Sequence, residues 1–296
     1  MTNVAGALSK PTSAIRTQTD DRKKGGAVRW IVLAILFFFL ATTLFPFFLA
    51  AINAIKTPAD YAANGPLALP HSFDLTAVKN FWTEVNFPRK LINSAIISGC
   101  VAVFAILLSL LNAYAIGIGK VRGGPALLTI LLITIMAPQE ALVYPLYYMA
   151  KGVGLFDSIF SVIIILGIVQ SAFGTYLLSS VLTTFPREII EAAQLDNTSR
   201  RQILWLVIVP VLRPTLGVLA TFFFIWTWNE FLLPLVLLVS NDNQTVSVSM
   251  GVLTGANSSE PTSIAAASFL GVAPTILFFL IFQRTLTRGV AVGAVK

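Results

Sequence analysis

The densest set of chemically active side chains in the second half of the chain lies in a polar stretch at residues 183–214. Pro186 suits the first turn of a helix, because its φ is fixed and its missing N–H needs no partner there. Glu188 follows in that turn, where a carboxylate meets the positive end of the helix dipole. The helix is predicted to run to about Asp196. A helix this short does not fold alone. We therefore keep two interpretations open: a docking site for a partner, and a solvated loop.

The residues after this helix predict how it ends and how the next helix begins. Asn197 tolerates the left-handed backbone that commonly terminates a helix. Ser199 and Gln202 have the spacing of a capping box, so a second helix should start at once. That second helix is predicted to stop before Pro210.

The same stretch resembles the EAA loop of ABC importer permeases, whose pattern is EAA, three residues, Gly, nine residues, Ile, one residue and Leu-Pro. The matching residues are Glu191, Ala192, Ala193, Asn197, Val207, Val209 and Pro210. Asn replaces Gly here, and Val replaces both Ile and Leu. In that family the loop is a coupling helix that docks into a groove on the ATP-hydrolysing subunit. The resemblance implies that the ATPase-coupling residues are Glu188, Glu191, Ala192, Ala193, Asp196, Asn197 and Pro210.

Two further polar pairs lie inside apolar runs, where polar side chains are costly and therefore candidates for function. Gln139 and Glu140 follow Pro138, and Asn229 and Glu230 follow Trp228. Carboxylates, amides and an aromatic face can together hold a sugar. The alternative is that these groups pair with each other or with a partner chain and stabilise packing only. The candidate substrate path is Gln139, Glu140, Trp228, Asn229 and Glu230.

The composition indicates that membrane helices hold these side chains in place. Of 296 residues, 56% are hydrophobic and only 11% are charged, unlike an ordinary soluble domain. The apolar runs approach the length that crosses ~30 Å of hydrocarbon as a helix. We predict an all-α polytopic membrane protein with six transmembrane helices, at about 30–51, 91–116, 125–148, 158–182, 215–239 and 263–282.

The basic residues predict the orientation of these helices. Lysine and arginine flank the apolar runs, so the formal charge of +7 indicates membrane topology and gives no reason to expect a nucleic-acid partner. With the N-terminus in the cytoplasm, most basic residues and the polar stretch fall inside. The outer basic residues are then only Lys56, Lys79, Arg89, Lys90 and Lys151.

The chain divides into four predicted regions. Residues 1–28 form a polar, disordered cytoplasmic tail. Residues 29–88 form the first transmembrane helix and an external loop, and residues 89–283 form the permease core with the coupling loop 183–214. Residues 284–296 form a cytoplasmic C-terminal tail.

The resemblance extends over residues 93–296 and is closest to the MalG-type permeases of the carbohydrate-uptake branch. It rests on short matches such as Trp228-Asn229-Glu230-Phe231 and on the C-terminal residues Gln283, Arg284, Gly289, Gly293 and Lys296. It implies the transmembrane domain of an ABC type I importer, in the bacterial inner membrane, with its tail contacting the ATPase. The implied partners are an ATP-binding subunit dimer, a second, non-identical permease, an extracytoplasmic sugar-binding protein and membrane lipid. The resemblance implies no cofactor.

Two other functions remain as alternatives. An ion-gradient-driven secondary transporter would need inverted repeats and buried ionisable relays, and neither is visible in the sequence. A membrane enzyme would need a nucleophile with its base or a cluster of metal ligands. Cys100 and His71 are the only cysteine and histidine, and each lacks a partner motif, so we expect no metal site and no disulfide.

Overall fold

A computed structural model describes residues 21–256 and 260–294. These residues form helices and no β-strand, which confirms the all-α prediction. The helices are α1 (Asp21–Ala54), α2 (Pro58–Asn64), α3 (Thr76–Glu84), α4 (Phe87–Gly117), α5 (Gly124–Met136), α6 (Gln139–Gly152), α7 (Ile159–Thr183), α8 (Arg187–Leu195), α9 (Arg200–Gln202), α10 (Val209–Asn229), α11 (Leu232–Leu237), α12 (Val246–Ala256) and α13 (Pro261–Ala294). A π-helical segment, Ile203–Ile208, joins α9 to α10, and a 3-10 turn, Asn241–Asn243, precedes α12.

Five helical stretches are long and apolar enough to cross a membrane, and a bent pair makes a sixth candidate. The five are Val28–Ala54, Phe87–Gly117, Ile159–Thr183, Arg200–Asn229 and Pro261–Ile281. The pair is α5 and α6, which meet at an angle of 101°. The prediction of one helix over 125–148 is therefore wrong. Pro138 disfavours helical backbone at the preceding residue, and Ala137 accordingly has extended backbone (φ −67°, ψ 132°).

The chain forms two compact units, residues 1–49 and residues 50–296. In the first unit α1 begins at Asp21, so residues 21–28, which we predicted to be disordered, are helical. The basic residues that follow Asp21 are good helix formers, which allows the apolar helix to extend through them. Residues 1–20 of the predicted tail lie outside the described residues.

In the second unit, α4, α7 and α10 pack around a core that depends on close approach of their backbones. Leu178 and Phe223 are buried at this contact. The Ser109 hydroxyl bonds to the carbonyls of Ala105 at 2.6 Å and Ser171 at 3.1 Å, which ties α4 to α7. A Cβ atom at Gly174 would lie 3.0 Å from Phe223 Cζ and closer still to Ser109. Only glycine therefore fits at this crossing without displacing its neighbours.

The fifth transmembrane helix starts earlier than predicted. Helical backbone runs from Arg200 to Asn229 without the predicted stop before Pro210, and the predicted 215–239 span ends at Asn229. The π-helical segment accounts for this, because the Val209 N–H bonds back to the Leu204 carbonyl, one residue further than in an α-helix. The widened turn precedes Pro210, which has no N–H to donate.

Contacts made by the two ends of α4 define the two ends of this helical bundle. At one end, the Tyr114 hydroxyl donates to the Arg200 carbonyl at 3.2 Å, which brings the end of α4 to the start of α9. At the other end, the start of α4 contacts the 3-10 turn through Asn93, whose amide donates to the Asp242 carbonyl at 2.6 Å. Because α5 starts at the α9 end and α7 starts at the 3-10 end, the bent pair α5–α6 crosses the bundle once. Together with α1, this makes six candidate membrane spans, the number predicted.

The 3-10 end is held by a clamp on the segment Ser240–Gln244. Lys90 is fully buried and donates to the Asn241 side chain at 2.6 Å and also to its carbonyl. From the other side, one Asp157 carboxylate oxygen accepts the Ser240 N–H at 2.9 Å and the other accepts the Ser240 hydroxyl. Burial raises the pKa of Asp157, but these hydrogen bonds outweigh it and hold the pKa below the ordinary value.

We expect Asp157→Ala to lower the free energy of unfolding by about 2 kcal/mol, because hydrogen bonds to a charged group contribute ~1.5–3 kcal/mol. A lowered pKa means that this contribution is complete above the ordinary carboxyl pKa and is lost as the pH falls from there through the lower pKa of the folded state. The stability difference between wild type and variant should therefore shrink below about pH 4. Denaturation in detergent between pH 3 and 7 measures it. Asp157→Asn is the control, because asparagine tolerates the left-handed φ of 57° found here. A difference that does not change with pH would contradict the assignment to the Asp157 charge.

Candidate functional site

The polar stretch folds as predicted up to the π-helical segment. Asn197 has the left-handed backbone (φ 58°), and the Ser199–Gln202 capping box is formed in both directions. The Thr198 hydroxyl donates to the Ala193 carbonyl at 2.6 Å, which satisfies one of the free carbonyls at the end of α8. Local turn chemistry therefore fixes α8 at a defined angle to the helix that follows it.

Helix α8 has an inner face that packs on the bundle and an outer face that is free. Ile190 and Ala193 contact the core cluster, which includes Phe185 and Ile203. The outer face is exposed and carries Glu188, Glu191, Ala192 and Asp196. Leu195 at its end is 88% exposed. Ile189, which is 44% exposed, and Leu195 thus leave apolar surface beside charged side chains that form no ion pair within the described part of the chain.

A polar cleft of about 210 Å³ separates α8 from the turn between α4 and α5. Its walls include Lys120 from the turn and Arg187 and Glu191 from α8. None of these three side chains forms an ion pair with another part of the described chain. The charges on this surface are therefore available to a partner. Pro210, further along, lies exposed just after the π-helical segment.

A second pocket lies where α5 and α6 bend. It brings together Gln139 and Glu140, at the start of α6, with Glu230, in the break between α10 and α11. Apolar residues of α7, including Leu166 and Val169, complete the wall. The Glu230 carboxylate also accepts the Leu233 N–H at 3.3 Å, so it caps α11. Three of the five predicted path residues thus line one pocket, and Glu230 among them also caps α11.

The other two predicted path residues lie elsewhere. Trp228 is only 5% exposed, and its ring lies against Phe224 and Phe278, at centroid distances of 5.9 and 4.7 Å. The Trp228 ring thus packs against two aromatic side chains and is not part of the pocket lining, and its place on the substrate path stays a prediction. Asn229 is exposed, and its amide donates to the Ile225 carbonyl of its own helix at 2.8 Å.

The pocket has about 70 Å³ of free space, far less than the ~300–1,000 Å³ of typical ligand pockets. It is therefore too small to enclose a sugar by itself. The contribution of α7 to the pocket wall was not predicted, because it depends on packing between distant segments. The only sequence signal on α7 is Gln170, an amide in an apolar run.

The predicted tail residues continue the last helix. Gln283 lies in α13 and donates to the Leu280 carbonyl at 2.9 Å. Arg284, Gly289 and Gly293 belong to the same helix, which ends at Ala294, and Lys296 lies outside the described residues. Across residues 21–256 and 260–294, no three His, Cys, Asp or Glu residues cluster in a way that could hold a metal ion.

Comparison with known proteins identifies similar chains. Residues 116–292 match the family described as binding-protein-dependent transport system inner membrane component. The lactose transport system permease protein LacG of Rhizobium radiobacter is 28% identical over 278 residues, covering 94% of this chain and 99% of its own. The trehalose transport system permease protein SugB of Mycobacterium tuberculosis is 34% identical over 212 residues, covering 71% and 77%. A crystal structure of a bacterial ABC transporter involved in import of the acidic polysaccharide alginate is 21% identical, with a TM-score of 0.74, covering 90% of this chain and 98% of that one.

Proposed function

The chain belongs to the family of inner membrane components of binding-protein-dependent transport systems, and from this premise we propose that it is a permease subunit of an ATP-driven sugar importer. The observation that carries the proposal is the exposed outer face of α8. This face presents Leu195 and charged side chains that form no ion pair within the described part of the chain. Relatives named for lactose and trehalose transport support a sugar as substrate. Family membership favours this function over an ion-gradient-driven transporter.

In this proposal the ATP-hydrolysing subunits are separate chains that dock on α8. The inner face of α8 is packed on the core of α4, α7 and α10, so a displacement of α8 moves the bundle as a body. The capping box and Thr198 keep α8 at a fixed angle and transmit that displacement. Glu188, Glu191, Ala192, Ala193, Asp196, Asn197 and Pro210 remain the proposed coupling residues. The C-terminal residues Gln283, Arg284, Gly289, Gly293 and Lys296 remain a proposed second contact with the ATPase.

We place the α8 end of the bundle in the cytoplasm of a bacterial cell, and both termini with it. Five basic residues are exposed near this end: Lys120, Arg122, Arg187, Arg200 and Arg201. At the opposite end, Lys56 and Lys90 are buried and bonded to carbonyls of Gly65 and Asn241. Lys79, Arg89 and Lys151 are the exposed basic residues among the five on the outer side, so exposed positive charge remains in excess at the α8 end. The positive-inside rule then assigns the α8 end to the cytoplasm.

The pocket at the bend is proposed as part of the sugar's route. Its small volume calls for a second, non-identical permease to supply the facing wall. An extracytoplasmic sugar-binding protein would deliver the sugar to the end formed by the 3-10 turn. Gln139, Glu140 and Glu230 can each hydrogen-bond sugar hydroxyl groups as the sugar passes.

The decisive experiment reconstitutes the chain in proteoliposomes with its copurifying permease, ATPase and binding protein, and measures uptake of radiolabelled lactose and trehalose. We expect uptake that requires both ATP and the binding protein. Uptake by the chain alone under an ion gradient, or copurification with no ATPase, would overturn the proposal.

We expect Glu140→Ala to reduce sugar uptake about tenfold with no change in copurification of the ATPase. The loss of one hydrogen bond to a charged group accounts for a change of this size, since such bonds contribute ~1.5–3 kcal/mol. Glu84→Ala is the matched control, because Glu84 is an exposed glutamate on α3, away from the pocket. Equal uptake by the two variants would remove Glu140 from the route.

A further inference from the structure

Gln170, on α7, is a buried amide whose NH₂ group is bonded and whose carbonyl oxygen is not, within the described part of the chain. The side chain is 7% exposed. Its Nε2 donates to the Thr227 hydroxyl of α10 at 2.9 Å. Its Oε1 is buried and has no donor within reach in the described part of the chain. An unpaired amide oxygen inside a membrane helix is unfavourable, so it calls for a functional reason.

The position of Gln170 relates it to the pocket at the bend. Residues four apart on a helix share a face, so Gln170 lies one turn beyond Leu166, which lines the pocket. Because α7 runs towards α8, this turn lies on the α8 side of the pocket. Gln170 therefore occupies the next position that a solute would meet on leaving the pocket in that direction.

Hydrogen bonds connect Gln170 to the polar wall itself. Thr227 accepts from Gln170 through its hydroxyl, and its carbonyl accepts the Glu230 N–H at 3.2 Å. Glu230 in turn lines the pocket. In this arrangement the Gln170 Nε2 donates to Thr227, and Oε1 is the atom left without a donor in the described part of the chain. A free acceptor suits a ligand that brings hydroxyl donors.

We propose that Gln170 lines the translocation route one turn inward of the pocket, where its Oε1 accepts hydrogen bonds from the hydroxyl groups of the sugar. This rests on the proposed function for the substrate class, while the placement of Gln170 on a water-filled route does not depend on the sugar. The amide is covered in the present structure and is reached in a state in which α7 and α10 separate at the level of Gln170.

The first test distinguishes a hydrogen bond from Gln170 to the sugar from a role that is limited to the hydrogen bond with Thr227. Gln170→Met keeps the length of the side chain and removes the acceptor, whereas Thr227→Val breaks the tie and leaves Oε1 in place. In the reconstituted importer we expect Gln170→Met to raise the KM for lactose or trehalose about tenfold, with ATPase activity retained. Thr227→Val should change the KM less than threefold. Equal effects of both variants would show that Gln170 only stabilises the packing of α7 on α10, and this would overturn the proposal.

The second test needs no knowledge of the sugar. Cys100 is the only cysteine of the chain, so Cys100→Ser gives a background in which Gln170→Cys can be probed with a charged, membrane-impermeant methanethiosulfonate. Ile168→Cys is the control, because Ile168 is 54% exposed on the outside of the bundle. We expect Gln170→Cys in the assembled importer to be modified in one nucleotide state, and Ile168→Cys in none. No modification of Gln170→Cys in any state would overturn the proposal, whereas modification without uptake of either sugar would overturn only the proposed substrate.

Discussion

Glu191→Lys should abolish ATP-driven uptake and weaken capture of the ATPase about 100-fold, while the chain still inserts and folds. Glu191 is exposed on the outer face of α8 and has no ion pair within the described chain, so its replacement leaves the bundle intact. A partner that meets this carboxylate with a cation would instead meet a second cation. Loss of a buried charge pair at an interface costs ~2–5 kcal/mol, and reversal costs at least as much. Copurification from mildly solubilised membranes and an ATPase titration measure the two effects.

The control for this variant is Glu84→Lys. It makes the same charge change on α3, outside the coupling surface, and should leave ATPase binding unchanged. Should Glu191→Lys retain the ATPase at wild-type affinity, α8 would not be the docking surface. Loss of the ATPase in both variants would point to a general effect of added positive charge.

Gly174→Leu should prevent the second unit from folding. A Cβ atom at this position already lies 3.0 Å from Phe223 Cζ and closer to Ser109, and leucine adds further atoms into the same closed space. Overpacking commonly costs ~1–3 kcal/mol and exceeds this where the backbones themselves must separate. Moving α7 away from α4 would also break the bond from the Ser109 hydroxyl to the Ser171 carbonyl. Thermal unfolding in detergent and size-exclusion chromatography should detect aggregated or absent protein.

Gly99→Leu is the matched control, because a Cβ atom at Gly99, on α4, meets no atom within 4 Å. It should give folded protein with nearly unchanged thermal stability. Comparable loss of folded protein in both variants would show that leucine at a helix glycine is harmful here regardless of packing.

The features that were predictable from sequence are those set by neighbouring residues. Asn197, Ser199 and Gln202 act through bonds to residues at most a few positions away, and all three behave as expected. Pro138 disfavours helical backbone at Ala137, but the resulting angle of 101° depends on how α6 packs on α11. This proline therefore marks the position of the break without giving its geometry.

The features that were not predictable depend on contacts between distant segments. Trp228 lies beside Asn229 and Glu230 in sequence, but helical periodicity turns its ring towards Phe224 and Phe278 and away from the pocket. Pro210 was expected to end a helix, yet a single widened turn before it keeps the chain helical. Glu140 and Glu230 line the same pocket only because the chain bends between α5 and α6 and also breaks at the end of α10. Both breaks were detectable only as prolines and polar residues in apolar runs.

The bend between α5 and α6 has a consequence for hydration. A helix that starts inside the hydrocarbon region presents amide hydrogens that no earlier turn accepts, and lipid offers them nothing. We expect water to reach Gln139 and Glu140 and to satisfy these groups. In the proposed route, a sugar arriving there exchanges one set of hydrogen bonds for another and does not pass through dry hydrocarbon. The broken helix would thus lower the dehydration barrier that an unbroken apolar helix imposes on a hydroxylated solute.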